Sequence, residues 1–230
     1  AFNQYYEHDL DPLMARTKTR PFVTGEIRHG PIWLVIIAAL TVLSVGAAWI
    51  ALNAWSALFV FLGAFFYAIV YTVWLKRRTW LNIVFGGLAG SWAVLAGAAA
   101  ADPHLGAVPL ALAFVLFLWT PPHFWSLAIA FREDYKAAGV PMLPVVVGDQ
   151  RAARTIFYST LALVAASFLP LAFGLGAIYA VGAAAGGFLF IQKAWRLAQE
   201  PTRKTAMACF FSSLIQLTLV LLAAIIDARF

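Results

Sequence analysis

The sequence predicts an all-α protein built into a membrane, and three observations carry that class. Only 11% of the 230 residues are charged and 63% are hydrophobic, whereas soluble domains carry about 25% charge. The mean hydropathy is +0.85. Seven apolar stretches follow one another, each near the about 20 residues that a helix needs to cross the hydrocarbon core.

The stretches run approximately from Pro31 to Ala51, Ala54 to Trp74, Trp80 to Ala101, Leu105 to Phe131, Thr155 to Gly176, Ile178 to Ile191 and Ala206 to Ile226. The sixth is short, and it continues through Gln192, Lys193 and Trp195, side chains able to snorkel to the interface. Small residues recur at Gly86, Gly87, Gly90 and Ser91, and again from Ala183 to Gly187. They permit close helix approach and predict packing rather than chemistry.

The basic residues fix the topology. They fall in alternate connections: Arg16 to Arg28, Lys76 to Arg78, Arg132 to Arg154 and Lys193 to Lys204. The connections around Asn53, Asp102 and Gly174 contain none, and Arg229 is the one exception. Excess Lys and Arg mark the cytoplasmic side, so the long, charged loops and the functional face lie inside. The net charge of +6 follows from this loop bias. No basic tract with interleaved aromatics sits on a soluble module, which excludes nucleic acid as a partner. The single Cys209 excludes an intramolecular disulfide and any multi-cysteine metal site. No ionisable residue sits near the centre of a span, which argues against an ion or proton path.

Residues 3–21 hold the densest chemistry. Asn3, Glu7 and Asp11 are four apart, a spacing that stacks them on one face of a helix. Oxygen donors in such a row suit Mg²⁺, which shares its shell with substrate phosphates. Arg16, Lys18 and Arg20 follow as cations for phosphate oxygens. Alone, the same stretch also reads as the solvated, mixed-charge end of a helix. Tyr71-Thr72 and Lys76-Arg77-Arg78 close the second span. They read equally as a topogenic basic cluster or as a diphosphate grip. Asn82 follows, placed to cap the next helix or line a site.

Trp119-Thr-Pro-Pro-His-Phe-Trp125 is more specific. Two consecutive prolines remove backbone donors and predict a helix break near the inner surface, tolerated at that depth where it lines a cavity. His123 stands beside the break. It reads with even weight as a hydrogen-bonded structural residue or as a contact to a large aromatic or iron-bearing substrate. Arg132-Glu133-Asp134-Tyr135 adds a second acidic pair, and Gly139-Val-Pro-Met-Leu-Pro144 a restrained loop able to cover a site. His8, His29 and His104 have bland expected roles.

Asn3-Gln-x-x-Glu7-x-x-x-Asp11 resembles the first Asp-rich motif of the intramembrane polyprenyl transferases, the UbiA superfamily. More narrowly, Met14-x-Arg-Thr-x-x-Arg-Pro21, Tyr71-Thr-x-x-Leu-Lys-Arg77, the Trp119–Trp125 string and Glu133-Asp-Tyr-x-x-Ala-Gly-Val-Pro-Met-Leu-Pro144 resemble the haem-farnesylating family within it, the haem O synthases. The chain departs from the superfamily motif at Gln4 and Glu7, and its second acidic motif is reduced to Glu133 and Asp134.

The resemblance implies a UbiA-like ring of nine transmembrane helices. Seven complete spans are expected here, in one intramembrane domain over residues 1–230 that lacks the N-terminal spans. It implies transfer of farnesyl from farnesyl diphosphate to a vinyl group of haem B, giving haem O. In that reading Asn3, Glu7 and Asp11, with Glu133 and Asp134, hold Mg²⁺. Arg16, Arg20, Lys76, Arg77 and Arg132 bind the diphosphate. Tyr71, Trp119 and Phe124 shield the allylic cation, and His123 contacts haem. Implied partners are the lipid bilayer and a haem A synthase or oxidase assembly proteins. The Ala-rich chain favours a bacterial inner membrane over a mitochondrial one.

Three rival functions stand beside this one. They are a polyprenyl transferase using a quinone precursor, a transporter or channel, and an oxidase assembly factor that holds haem without chemistry. The uncharged span centres and the acids gathered at one face disfavour the transporter, and the assembly factor leaves the acidic row and its basic neighbours unexplained.

Overall fold

The computed structural model describes residues 1–228, so Arg229 lies outside the described residues. Among them there is no strand. Seven helices are long and apolar enough to cross a membrane: Ile32–Ala51, Ala54–Leu75, Asn82–Ala101, Ala107–Ala130, Asp149–Phe173, Ala177–Gln199 and Arg203–Asp227. All seven coincide with the apolar stretches of the sequence. The sixth is longer than hydropathy alone indicates, because Lys193 and Arg196 ride its last turns. The protein is thus a multi-pass membrane protein.

The chain divides into two compact units, residues 1–103 with 132–142, and residues 104–131 with 143–230.

The first unit opens with a short helix, α1 (Phe2–Tyr6), a 3₁₀ turn at Asp11–Leu13 and α2 (Pro21–Thr24). Then come α3 (Ile32–Ala51) and α4 (Ala54–Phe65). On α3 only Ala48 is buried, as expected of a helix whose apolar surface meets lipid. Asn53 caps α4, accepting from the Ser56 amide at 2.9 Å. Asn53 Nδ2 and the Ser56 hydroxyl also donate to the carbonyls of Ala99 and Ala96, tying α4 to the helix of Leu88–Ala101. Where water is absent, such side-chain bonds satisfy groups that would otherwise be orphaned.

Past Phe65 the second span continues as a π-helix, Phe66–Leu75. The Lys76 amide donates to Tyr71 O at 2.9 Å, and the Thr72 hydroxyl to Tyr67 O at 2.8 Å. α5 (Asn82–Gly86) and α6 (Leu88–Ala101) complete the third span, and α8 (Arg132–Ala137) joins this unit from further along the chain.

The second unit holds α7 (Ala107–Ala130), α9 (Leu143–Val147), α10 (Asp149–Ala166), α11 (Ala177–Gln199) and α12 (Arg203–Asp227). α7 corrects an expectation. It runs unbroken through Pro121 and Pro122. Prolines are tolerated in membrane helices when neighbours re-satisfy the freed groups. Around the two prolines the Thr120 hydroxyl bonds Leu116 O, Ser126 bonds His123 O, and Trp119 Nε1 ties α7 to Ser213 O on α12 at 2.8 Å.

α11 and α12 pack through small residues. A Cβ on Gly186 would lie 2.9 Å from Gln216 Cα, so only glycine allows the backbones this close. Tyr179, Ala183, Val220, Ala223 and Ala224 form a core there, and Cys209 is a buried free thiol that acts as a small packing residue. At the far end of α12 the Asp227 carboxylate accepts from the amides of Gly176, Ile178 and Tyr179. A carboxylate at a helix N-terminus satisfies orphan donors and complements the helix dipole.

Candidate active site

The first unit carries the charged constellation. Asn3, Glu7 and Asp11 do not share one helix: α1 ends at Tyr6 and Asp11 opens the 3₁₀ turn. Pro12 has no N–H to continue an α ladder. The three are still linked, because the Glu7 amide donates to Asn3 O and the Asp11 amide to Glu7 O, both at 2.9 Å.

Glu7 and Asp11 are each only 2% exposed. A carboxylate so placed is costly unless paired, and each has a cation. Lys76 Nζ lies 2.5 Å from Glu7 Oε1. Arg20 Nη1 lies 2.8 and 2.9 Å from the two Asp11 oxygens and 3.3 Å from Asn3 Oδ1. One guanidinium therefore gathers Asn3 and Asp11. Burial pushes the Lys76 ammonium below its ordinary pKa, and Glu7 only partly offsets that.

The π-helix delivers Lys76 to this place. Its ammonium sits 5.6 Å from the centre of the Tyr71 ring. A Cβ on Gly86 would lie 2.7 Å from that ring, so Gly86 makes room for Tyr71. π-Turns are frequent at functional sites. Asn82 does not cap α5, whose N-cap is Leu81. It is fully buried, and its amide donates to Lys76 O at 3.2 Å. It pins the chain just after the lysine.

Arg16 turns to α8, with Nη2 donating to the Tyr135 hydroxyl at 3.2 Å and its guanidinium 5.5 Å from that ring. Burial raises the Tyr135 pKa, against the pull of Arg16. In α8, Glu133 is exposed and Arg132 and Asp134 half-buried. Asp134 Oδ2 is buried without a hydrogen-bond partner. Arg77 leaves the buried pair and forks onto Asp9 at 2.8 and 2.9 Å near the surface. The guanidinium holds the Asp9 carboxyl below its usual range.

Among the described residues, no three His, Cys, Asp or Glu side chains converge as a metal-binding group. The donors present nonetheless suit Mg²⁺. Glu7, Asp11, Asn3 and the orphaned Asp134 Oδ2 are hard oxygens, and Mg²⁺ usually takes one or two carboxylates plus substrate phosphates.

The remaining sequence candidates lie in the second unit. His123 is buried, its ring stacked on Trp119 at 4.0 Å and on Phe210 at 4.4 Å, with Phe124 edge-on at 4.8 Å. Nδ1 meets the Ser213 hydroxyl at 2.7 Å. Phe124 is partly exposed. His8 and His29 stack at 4.1 Å and both bond Tyr5 O, which ties down the entry to α3.

Sequence reasoning passed over Asp9 and Ser213. Asp9 lay off the four-residue row, and Ser213 sits in an undistinguished apolar run with no local signal.

The UbiA prenyltransferase family profile matches residues 1–215. A protein of Paramagnetospirillum magneticum named protoheme IX farnesyltransferase 2 is 58% identical over 227 residues, 99% of this chain and 79% of that protein. Protoheme IX farnesyltransferase 1 of Cenarchaeum symbiosum is 44% identical over 230 residues, 100% of this chain and 77% of its own. Among solved structures, a digeranylgeranylglyceryl phosphate synthase superposes with a TM-score of 0.78 at 22% identity, covering 99% of this chain and 79% of the other. A UbiA homologue from Archaeoglobus fulgidus bound to DMAPP and Mg²⁺ gives 0.67 at 20% identity, covering 95% and 81%. These two carry the fold alone. The chain belongs to the UbiA prenyltransferase family.

Proposed function

We propose that this prenyltransferase moves a farnesyl group from farnesyl diphosphate to a vinyl group of haem B, forming haem O with Mg²⁺. The observation that carries the reading is the pair of buried carboxylates, Glu7 and Asp11, each held by a cation suited to a diphosphate. The names of the relatives, together with the Trp119–Trp125 and Glu133–Pro144 strings, support haem as acceptor.

Glu7, Asp11 and Asn3, with Asp134, would hold Mg²⁺, which when bound neutralises charge on the diphosphate oxygens. Lys76 and Arg20, paired with Glu7 and Asp11, would place their charge beside the diphosphate. Arg16, Arg77 and Arg132 add positive charge to the same leaving group. As the C–O bond ionises, these fixed cations stabilise the departing diphosphate.

The Tyr71 face, already beside an ammonium, stabilises the allylic cation by about 0.5–2 kcal/mol. The face that Trp119 gives to His123 is not free for this, so Tyr71 takes the larger share and Phe124 the smaller. The vinyl carbon attacks the cation, and water adds to the resulting carbocation and gives up a proton to the released diphosphate, leaving the hydroxyl. Glu133, exposed beside Asp134, orients the cations. With Nδ1 on Ser213, His123 would offer haem its other nitrogen.

Together the residues form one intramembrane catalytic domain, its active face cytoplasmic in a bacterial inner membrane. Haem O would pass to a haem A synthase or to oxidase assembly proteins.

Incubation of the protein with haem B, farnesyl diphosphate and Mg²⁺, followed by mass analysis of extracted haem, tests the proposal. Farnesylated, hydroxylated haem is expected. Unchanged haem, with diphosphate released only when a quinone precursor is supplied, would overturn it.

A further inference from the structure

The second unit carries a cavity that shares no residue with the chemistry just described. It holds about 390 Å³ and is lined by Gln150, Arg154 and Tyr158 of α10 and by Trp195 and Gln199 of α11, over Phe157. We propose that it binds the phosphodiester headgroup of an anionic phospholipid of the inner leaflet.

The spacing builds the site. Gln150, Arg154 and Tyr158 recur every four residues along one face of α10, and Trp195 and Gln199 do the same on α11. Gln150 Nε2 donates to Ala198 O at 2.7 Å, which fixes the gap between the two helix ends. Phe157 packs on Trp195 with ring centres 5.2 Å apart, giving an aromatic floor. Tyr158 and Trp195 are largely exposed, the placing of residues that sit at the headgroup level.

The charge selects the ligand. Among the described residues, Arg154 makes no ion pair, unlike Arg20, Lys76 and Arg77, which hold Asp11, Glu7 and Asp9. Its guanidinium can take phosphate oxygens in a bidentate fork. Arg151, Lys193, Arg196, Arg203 and Lys204 cluster at the same helix ends, with Asp149 and Glu200 as the flanking acids. Basic pockets between membrane helices on the cytoplasmic side bind anionic headgroups. A neutral zwitterionic lipid gains less there, because its own ammonium meets the same positive field.

Native mass spectrometry of the full protein in micelles tests this. The protein is titrated with phosphatidylglycerol, with phosphatidylcholine, and with phosphatidylglycerol plus millimolar inorganic phosphate. Phosphatidylglycerol is expected to remain bound in preference to phosphatidylcholine. Arg154→Gln should weaken it about fivefold, the worth of one interfacial cation, and Arg154→Lys should weaken it less. Both variants should keep the wild-type melting temperature and prenyl transfer. Equal retention of the two lipids, or unchanged binding in Arg154→Gln, would overturn the proposal. So would displacement of the lipid by inorganic phosphate, which would make the site one for free phosphate.

Discussion

The two units bury polarity in different ways. In the first, the buried polar set includes three ionisable side chains, Glu7, Asp11 and Lys76, along with Asn82. In the second it consists of hydroxyls, one amide and one imidazole: Thr120, Ser126, Thr160, Ser167, Ser212, Ser213, Gln216 and His123. Hydroxyls in a helix satisfy themselves cheaply. Thr160 bonds Ile156 O and Ser167 bonds Leu163 O, each four residues back. Charges cannot be satisfied locally and need partners brought from elsewhere in the sequence. Lys76 meets Glu7 across 69 positions, and Arg20 folds back onto Asp11. The first unit thus buries charge in pairs, whereas the second buries side chains that are satisfied close by.

Substitutions can break this contrast. The largest effect should be on chemistry. Glu7→Gln and Asp11→Asn should each lower haem O formation by about 10²-fold or more, measured by mass analysis of extracted haem with folding confirmed by gel filtration. Near-normal turnover would remove the charged unit from the mechanism. Next, Lys76→Met leaves Glu7 buried and unpaired, which should cost about 3–5 kcal/mol of stability. Adding Glu7→Gln should restore most of it, and a double-mutant cycle on melting temperature reads the coupling.

In the second unit, Gly186→Ala forces α11 off α12. It should cost about 1–3 kcal/mol while the KM for farnesyl diphosphate stays constant. Ser213→Ala strips the Nδ1 partner from His123 and should cost about 1 kcal/mol. If haem affinity falls in spectral titration while farnesyl diphosphate affinity holds, His123 belongs to the haem site.

The smallest effect concerns pH. Arg77 lowers the Asp9 pKa below its reference value of 3.8. That stabilisation is complete above 3.8 and disappears as pH falls through the lowered value. The pair is largely exposed, so Asp9→Asn should flatten acid denaturation by only about 0.2–1 kcal/mol.

Much of this contrast was legible in the residues. Seven spans follow from hydropathy, because lipid demands long apolar helices whatever their neighbours. Glu7, Asp11, Arg20 and Lys76 were legible because a chain with so little charge spends it where it matters. The unbroken run through Pro121 and Pro122 was not, since the local prolines signal a break while α7 is anchored by partners such as Ser213, 92 residues beyond Pro121. Nor was the Asp227 cap on α11, reached from about 50 residues away. The acidic row failed as a helix because α1 ends at Tyr6 and Asp11 opens a separate 3₁₀ turn, a break that the four-residue spacing does not reveal.

The π-helix from Phe66 to Leu75 has a consequence for how this chain tolerates change in length. Bonds to the fifth residue back accommodate one more residue per turn than an α ladder would. Deleting a single residue there would tighten one of its turns toward the α form. It would also rotate everything beyond by about 100°, swinging Lys76 off Glu7 and Tyr71 out of the space that Gly86 leaves open. The extra residue works as a spacer with a fixed phase. Insertions and deletions should therefore be borne in the outer loops and refused within these ten positions, even where each side chain alone accepts substitution.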